Sequence, residues 1–121
     1  MLKNLLFVGA GGAAGAMARY FLFTVIKSSH FPLATLVINI TGSFVIGLLF
    51  ALSMKQHFLP ASVMLFLATG ICGGFTTFSA FSLENLELMR NGKWLLSFTY
   101  IAASVLFGLG ACWLGFKIFQ A

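Results

Sequence analysis

The sequence predicts an all-α integral membrane protein with four membrane-spanning helices, and three observations carry that prediction. The 121 residues are 60% hydrophobic and only 7% charged, against roughly 25% charged in an ordinary soluble domain. A water-soluble fold of this size exposes too much of its surface to hide so many apolar side chains. Four apolar runs each reach the length of about 20 residues that a helix needs to cross a bilayer. We expect residues 1–121 to form a single transmembrane domain.

The four runs are separated by short polar or charged connections. They cover about residues 5–26, 32–54, 60–89 and 94–116. Pro32 and Pro60 open the second and third runs, where the missing backbone N–H of proline is tolerated. The first run resembles a signal peptide up to Gly15 and Ala16, but it stays apolar to Ile26. That continuation favours a membrane helix.

The third run is too long for one straight crossing, and its centre is a poor helix sequence. It reads GICGGFTT from Gly70 to Thr77, and glycines followed by β-branched hydroxyl residues disfavour a helix. A break frees backbone groups that lipid cannot satisfy, so it persists only inside protein or beside water. We therefore predict a broken third helix between Gly73 and Thr77. The alternative is a continuous helix whose glycines allow close packing.

The basic side chains near the ends of the runs are divided evenly between the two sides of the predicted bundle. Those on the side of both termini are Lys3, Lys55 and Lys117, and those on the other side are Lys27, Arg90 and Lys93. An even division gives the positive-inside rule no preference, so we expect insertion in both orientations, which permits an antiparallel dimer. The net charge of +5 is scattered rather than gathered in a stripe, which argues against nucleic-acid binding.

Polar side chains at membrane depth are costly and mark a partner, a cavity or a pathway. On the second run, Thr35, Asn39 and Ser43 recur every four residues and share one helix face. Tyr100 and Ser104 are also four residues apart, on the last run. Two interpretations stay open for both sets: hydrogen bonding between helices, or the lining of a pathway.

The segment after the predicted break adds more donors. Thr77 and Ser79 carry hydroxyls, and Phe78 and Phe81 are three residues apart on a shared face. A phenyl ring has positive potential at its edge. A path lined by N–H, O–H and ring edges suits a small, strongly hydrated anion, because it replaces the lost hydration without holding the ion too tightly.

The charged residues within the runs favour a pathway for an anion over a proton- or cation-coupled carrier. Arg19 lies near the end of the first run, where it either reaches the interface or places a positive charge at a pore mouth. The two acidic residues, Glu84 and Glu87, both lie near the end of the third run. A proton-coupled carrier would need a carboxylate at mid-membrane.

Three segments carry a resemblance to a known family. They are GGAAGAMARY at residues 11–20, TLVINITG at 35–42 and GICGGFTTFSAF at 70–81. In sequence, order and number of spans the chain resembles the CrcB/Fluc fluoride channels. The resemblance implies an antiparallel, dual-topology homodimer with two pores, through which toxic fluoride leaves the cytoplasm across the plasma (inner) membrane by passive electrodiffusion. Ala80 departs from the family, because many relatives carry threonine between the two phenylalanines.

The resemblance also implies roles for individual residues. The residues expected to line the fluoride pore are Asn39, Ser43, Thr77, Phe78, Ser79, Phe81, Tyr100 and Ser104. Arg19 and Glu84 match charged positions near the vestibules. The backbone carbonyls of Gly73 and Thr76 match positions that hold a structural sodium ion at the dimer centre.

Two other functions remain open from the sequence. A small proton-coupled multidrug-type exporter also has four helices, although it would need an acidic residue in the first helix, where this chain has Arg19. A non-transporting assembly subunit would use the polar side chains only to join helices. We do not expect an enzyme, because no nucleophile–base pair is evident at membrane depth.

Overall fold

A computed structural model describes residues 1–55 and 59–120, and in this part of the chain the regular structure is helical. The helices are α1 (Leu2–Val25), α2 (Leu33–Ser53), α3 (residues 61–75), α4 (Phe78–Arg90) and α5 (Trp94–Gln120). Together α3 and α4 form the third span, so the described residues contain four segments long and apolar enough to cross a membrane. All four expected spans fall on helices. The first helix begins three residues earlier than expected and the last ends four residues later.

The third span is not uniformly α-helical. An α-helical turn at Ala61–Met64 leads into a π-helix over Leu65–Cys72, and a last α-helical turn covers Gly73–Phe75. π-Helical turns are rare in proteins, but those that do occur are often found at functional sites. The apolar composition of this stretch gives no sign of the wider turn, so the sequence did not predict it.

The span is interrupted directly after α3. Thr76 has a ψ of 157° and Thr77 has φ −150° and ψ 118°, so both residues are extended. The predicted break is therefore present, but it falls on the two threonines, while Gly73 and Gly74 are helical. The Thr77 hydroxyl accepts a hydrogen bond from the backbone N–H of Ala80 at 3.1 Å, and this cap starts α4.

Helices α1 and α3 run parallel and pack backbone against backbone. A Cβ atom added to Gly11 would lie 2.9 Å from Gly70 Cα, and one added to Gly15 would lie 2.8 Å from Phe75 N. Gly74 is closed off by α1 in the same way. Gly70 and Gly74 of the third span therefore serve close packing, as the alternative interpretation held, and the break follows them.

Helices α2 and α5 form a second parallel pair. A Cβ atom on Gly47 would lie 3.0 Å from the Cys112 carbonyl carbon, and one on Gly115 would lie 3.1 Å from Leu48 N. Most contacts between helices fall within these two pairs, and the pairs touch each other sparingly. A separate contact, between Gly42 of α2 and the Thr76 side chain, places the polar face of α2 beside the break in the third span.

Few side chains are buried inside the single chain. Ile38 and Tyr100 are fully buried, whereas large apolar side chains such as Phe21, Phe107 and Trp113 are exposed. In water such surfaces would drive aggregation, but lipid tails are as apolar as the side chains themselves. The exposed faces are therefore those expected of a protein dissolved in a bilayer.

Candidate functional site

The side-chain amide of Asn39 binds the interruption between α3 and α4. Its Oδ1 accepts a hydrogen bond from Thr77 N at 2.8 Å, and its Nδ2 donates to the Thr77 carbonyl at 3.1 Å. These bonds satisfy both backbone groups of a residue that would otherwise leave them unpaired at membrane depth. An amide NH₂ carries two hydrogens, so the bond to Thr77 occupies only one of the donors of Asn39.

The guanidinium group of Arg19 lies at the last turn of α3. Its Nε donates to the Gly74 carbonyl at 3.1 Å, and the side chain is partly buried. The C-terminal end of a helix carries partial negative charge, so this position favours a cation. Arg19, predicted for a vestibule, thus also caps the broken helix.

Two carbonyls at the break lose the N–H partners that an unbroken helix would provide. The N–H of Thr77 would bind the Gly73 carbonyl in an α-helix, but it binds Asn39 instead. The N–H of Ala80 would likewise bind the Thr76 carbonyl, but it binds the Thr77 hydroxyl. Carbonyl oxygens released in this way are the ligands that hard cations prefer. Gly73 and Thr76 are the two residues predicted for the sodium ion.

An open cavity of about 390 Å³ lies between α2 and the break. The predicted site residues that line it are Asn39, Ser43, Gly73, Thr76, Thr77 and Phe78. The Phe78 side chain is 77% exposed in the single chain. A ring so exposed beside a polar cavity is available to a second molecule.

Aromatic rings continue from this cavity along α4. The ring centroids of Phe78 and Phe81 are 5.6 Å apart, and those of Phe81 and Tyr100 are 5.0 Å apart. The two phenylalanines therefore share a face, as their spacing predicted. The Ser79 hydroxyl lies 3.1 Å from the Thr77 hydroxyl at the start of this line.

The rings of Phe78, Phe81 and Tyr100, called the aromatic line below, lead to the carboxylate of Glu84. The Tyr100 hydroxyl donates to Glu84 Oε1 at 2.8 Å, and the Thr35 hydroxyl donates to Oε2 at 2.7 Å. Both donors are fully buried. Glu84 also lines two open cavities of about 230 and 370 Å³ beside the connection between α1 and α2. It thus stands between the aromatic line and a mouth of the protein.

The two remaining predicted hydroxyls lie between α2 and α5. The Ser43 hydroxyl is 3.8 Å from the position of a Cβ atom on Gly108. The same register places Ser104 level with Asn39. The Ser104 hydroxyl is buried and has no hydrogen-bond partner among the described residues. The predicted pore residues are thus gathered on α2, α4 and α5, around the break and the aromatic line.

Sequence reasoning missed a buried polar pair near the turn between α4 and α5. Asn85 Nδ2 donates to the Phe81 carbonyl at 2.9 Å, and the Ser97 hydroxyl donates to Asn85 Oδ1 at 2.8 Å. Asn85 was missed because it lies between Glu84 and Glu87 near the end of the third run, where polar side chains are expected to reach water. The available signal was its spacing of twelve residues from Ser97, across a connection that contains Gly92.

The chain is similar in sequence to known proteins over nearly its whole length. Residues 6–116 match the family described as CrcB-like protein, Camphor Resistance (CrcB). The chain is 48% identical over 115 residues to a protein of Ruminiclostridium cellulolyticum, covering 93% of this chain and 88% of that one. It is 42% identical over 120 residues to a protein of Flavobacterium psychrophilum, covering 97% of each. A protein of Azobacteroides pseudotrichonymphae is 43% identical over 119 residues, covering 96% of this chain and 95% of that one. Each of these relatives is named fluoride-specific ion channel FluC.

Proposed function

The chain belongs to the CrcB-like family, and from that premise we propose that it is a fluoride-selective ion channel that lets fluoride leave the cytoplasm by passive electrodiffusion. It is a multi-pass membrane protein, which in a bacterium lies in the plasma membrane. It is a channel and not an enzyme. The identity of the ion comes from the name that its relatives share, and the hydrogen-bond donors around the break support fluoride as that ion.

The observation that carries the proposal is an interrupted span whose surroundings are rich in hydrogen-bond donors. Fluoride is small and strongly hydrated, so it enters only where fixed donors replace its water. Asn39 has a second N–H beyond its bond to Thr77, and Ser43 lines the same cavity. The edges of Phe78 and Phe81 add weaker positive potential, which lets an ion leave as well as arrive.

The second molecule at the exposed Phe78 ring is, in this proposal, another copy of the chain. The ring is 77% exposed beside an open cavity, so one chain encloses only part of a path. The even division of basic residues between the two sides permits the copies to lie antiparallel. Phe78 and Phe81 of opposite copies would then meet along each of two pores.

A structural sodium ion at the centre of that dimer would use the carbonyls of Gly73 and Thr76. The usual N–H partners of these carbonyls are bound by Asn39 and by the Thr77 hydroxyl. Gly73 is also exposed in the single chain, so a second copy could approach it and contribute the same two oxygens. Oxygen ligands from both copies suit a hard cation and would fix the copies to each other.

The experiment is fluoride efflux from liposomes that contain the purified protein, followed with a fluoride electrode. We expect rapid, electrogenic fluoride efflux and rejection of chloride. Phe78→Ile removes a ring from the aromatic line, and Asn39→Asp replaces an amide donor with a charge that repels the anion and the Thr77 carbonyl. We expect Asn39→Asp to lower the efflux rate by at least about tenfold, the effect of roughly one lost hydrogen bond to a charged group. Phe78→Ile should also lower the efflux rate, because it removes a ring edge from the path.

Two matched variants control for substitution alone. Phe107→Ile removes an exposed ring from α5, and Asn4→Asp adds a charge near the start of α1, both outside the site. Both should conduct as the wild type does. Absence of fluoride flux through correctly assembled wild-type protein would refute the channel, and equal loss in site and control variants would refute the assignment of the site.

A further inference from the structure

Helix α4 carries the aromatic line, yet it is weakly packed against the rest of the chain. Its helix–helix contacts are few and fall mainly on α5. Two of its apolar side chains, Leu83 and Leu86, are exposed. Since lipid provides no hydrophobic force between helices, apolar burial does not fix the rotation of α4 about its own axis.

Hydrogen bonds hold α4 instead. Its beginning is bound through Thr77 to Asn39, and its middle through Glu84 to α2 and α5. Asn85 makes a further attachment, because its Oδ1 accepts from Ser97 at 2.8 Å. Asn85 is 6% exposed and Ser97 is 0% exposed, so neither water nor lipid headgroups compete for this bond.

The attachments at Glu84 and Asn85 act in different directions. Consecutive residues of an α-helix project about 100° apart, so the attachments at Glu84 and Asn85 hold two different faces of α4 and together resist rotation about the helix axis. Phe81 lies one turn before both residues, three positions from Glu84 and four from Asn85. Asn85 also donates directly to the Phe81 carbonyl at 2.9 Å.

We propose that Asn85 and Ser97 are positioning residues that hold the Phe81 ring against Tyr100 and thereby set the discrimination between fluoride and larger anions. The proposal rests on the channel function proposed above. With the pair intact, the Phe81 ring stays 5.0 Å from that of Tyr100 and the line keeps one width. Without it, α4 turns about the Glu84 attachment and the line widens enough for chloride.

The test measures fluoride and chloride efflux from liposomes for the wild type, Asn85→Leu, Ser97→Ala and the double variant. Size-exclusion chromatography of each protein, compared with the wild type, reports assembly. We expect Asn85→Leu to lower the ratio of fluoride to chloride flux by about tenfold, the effect of losing the one buried hydrogen bond that joins α4 to Ser97. Ser97→Ala should lower the ratio by a similar factor, because it removes the bond that joins α4 to α5, and the remaining bond from Asn85 to Phe81 lies within α4.

The double variant should be no less selective than Asn85→Leu, because the two residues act through one bond. Thr99→Val is the matched control on α5, since the Thr99 hydroxyl binds the Leu95 carbonyl of its own helix, and its flux ratio should equal that of the wild type.

Wild-type flux ratios in both Asn85→Leu and Ser97→Ala would overturn the positioning role and leave the channel function standing. If Asn85→Leu fails to assemble while Ser97→Ala assembles with an unchanged ratio, the pair is purely structural and the proposal is also overturned. A wild-type protein without fluoride flux would instead refute the proposed function on which the inference depends.

Discussion

The position of the Glu84 side chain is fixed by hydrogen bonds from two other helices. Glu84 is one of two acidic residues in the chain, and hydroxyls from two other helices, Thr35 on α2 and Tyr100 on α5, bind its carboxylate. A hydrogen bond to a charged group contributes about 1.5–3 kcal/mol to stability. The three residues therefore join the third span to both helices of the second pair.

Removing one hydroxyl tests this junction without removing the aromatic line. In Tyr100→Phe the ring still packs against Phe81 and Phe31, whose centroids lie 5.0 and 5.3 Å away. We expect assembled protein with a free energy of unfolding lower by about 1.5–3 kcal/mol and a reduced fluoride flux. Thermal unfolding in detergent and liposome efflux measure the two effects. Tyr20→Phe, at an exposed position on α1, is the control, and equal behaviour of the two variants would contradict the prediction.

At the scale of residues, the sequence identified the polar side chains but not all of their partners. The spacing of Thr35, Asn39 and Ser43 predicted a shared face on α2. It did not predict that Asn39 binds the backbone of Thr77, because that contact joins residues 38 positions apart. Asn85 was missed for the same reason, since its partner Ser97 belongs to the next helix.

Among the helices, the contact between α1 and α3 depends most directly on single residues. A Cβ atom on Gly15 would meet the backbone of α3 at Phe75, 2.8 Å away, and also that of Ile71. Backbone atoms do not move aside as a flexible side chain does. The two helices therefore separate if any larger residue replaces Gly15.

We expect Gly15→Ala to lower the free energy of unfolding by about 1–3 kcal/mol through overpacking. The control is Gly9→Ala on the same helix, where an added Cβ atom meets nothing within 4 Å. That change should be neutral or should stabilise by up to about 1 kcal/mol, since alanine favours a helix. Thermal unfolding of both purified variants in one detergent decides the matter, and a destabilised Gly9→Ala would contradict the packing argument.

At the scale of elements, the sequence predicted four spans and a broken third one. It placed the break near the glycines, because glycine has low helix propensity. In the structure Gly74 is helical against α1, and the interruption follows at Thr76 and Thr77. Glycine lowers helix propensity locally, but it also permits close packing against a helix that is distant in sequence. The sequence alone could not show which of these two effects explains the glycines of the third span. The π-helix at Leu65–Cys72 had no local signal.

For the molecule as a whole, we predict insertion in both orientations. A terminal tag on the protein in intact cells should be reached by a membrane-impermeant reagent in about half of the chains, because the basic residues give no preference. Proteins with several lysines added on one side serve as the control, since they should insert in one orientation. If every unmodified chain showed a single orientation, the antiparallel dimer would be refuted.

Removal of sodium tests the centre of the proposed dimer. Purification with a large organic cation in place of sodium should lower the thermal stability of the dimer and slow fluoride flux, and returning sodium should restore both, because a bound ion stabilises the assembly that holds it. Potassium chloride at equal ionic strength is the control for salt alone. Identical stability in all three solutions would contradict a structural sodium ion at Gly73 and Thr76.

The parallel pairing of helices has a consequence for biosynthesis. Membrane spans leave the ribosome in order, but α1 packs on α3 and α2 packs on α5, so neither α1 nor α2 finds its main partner in the span made next. The face of α2 around Gly47, which receives α5, faces lipid until Trp94–Gln120 has been inserted. A chain interrupted before that point would hold this face of α2 unpaired in the membrane, and unpaired faces of this kind are where misassembly begins.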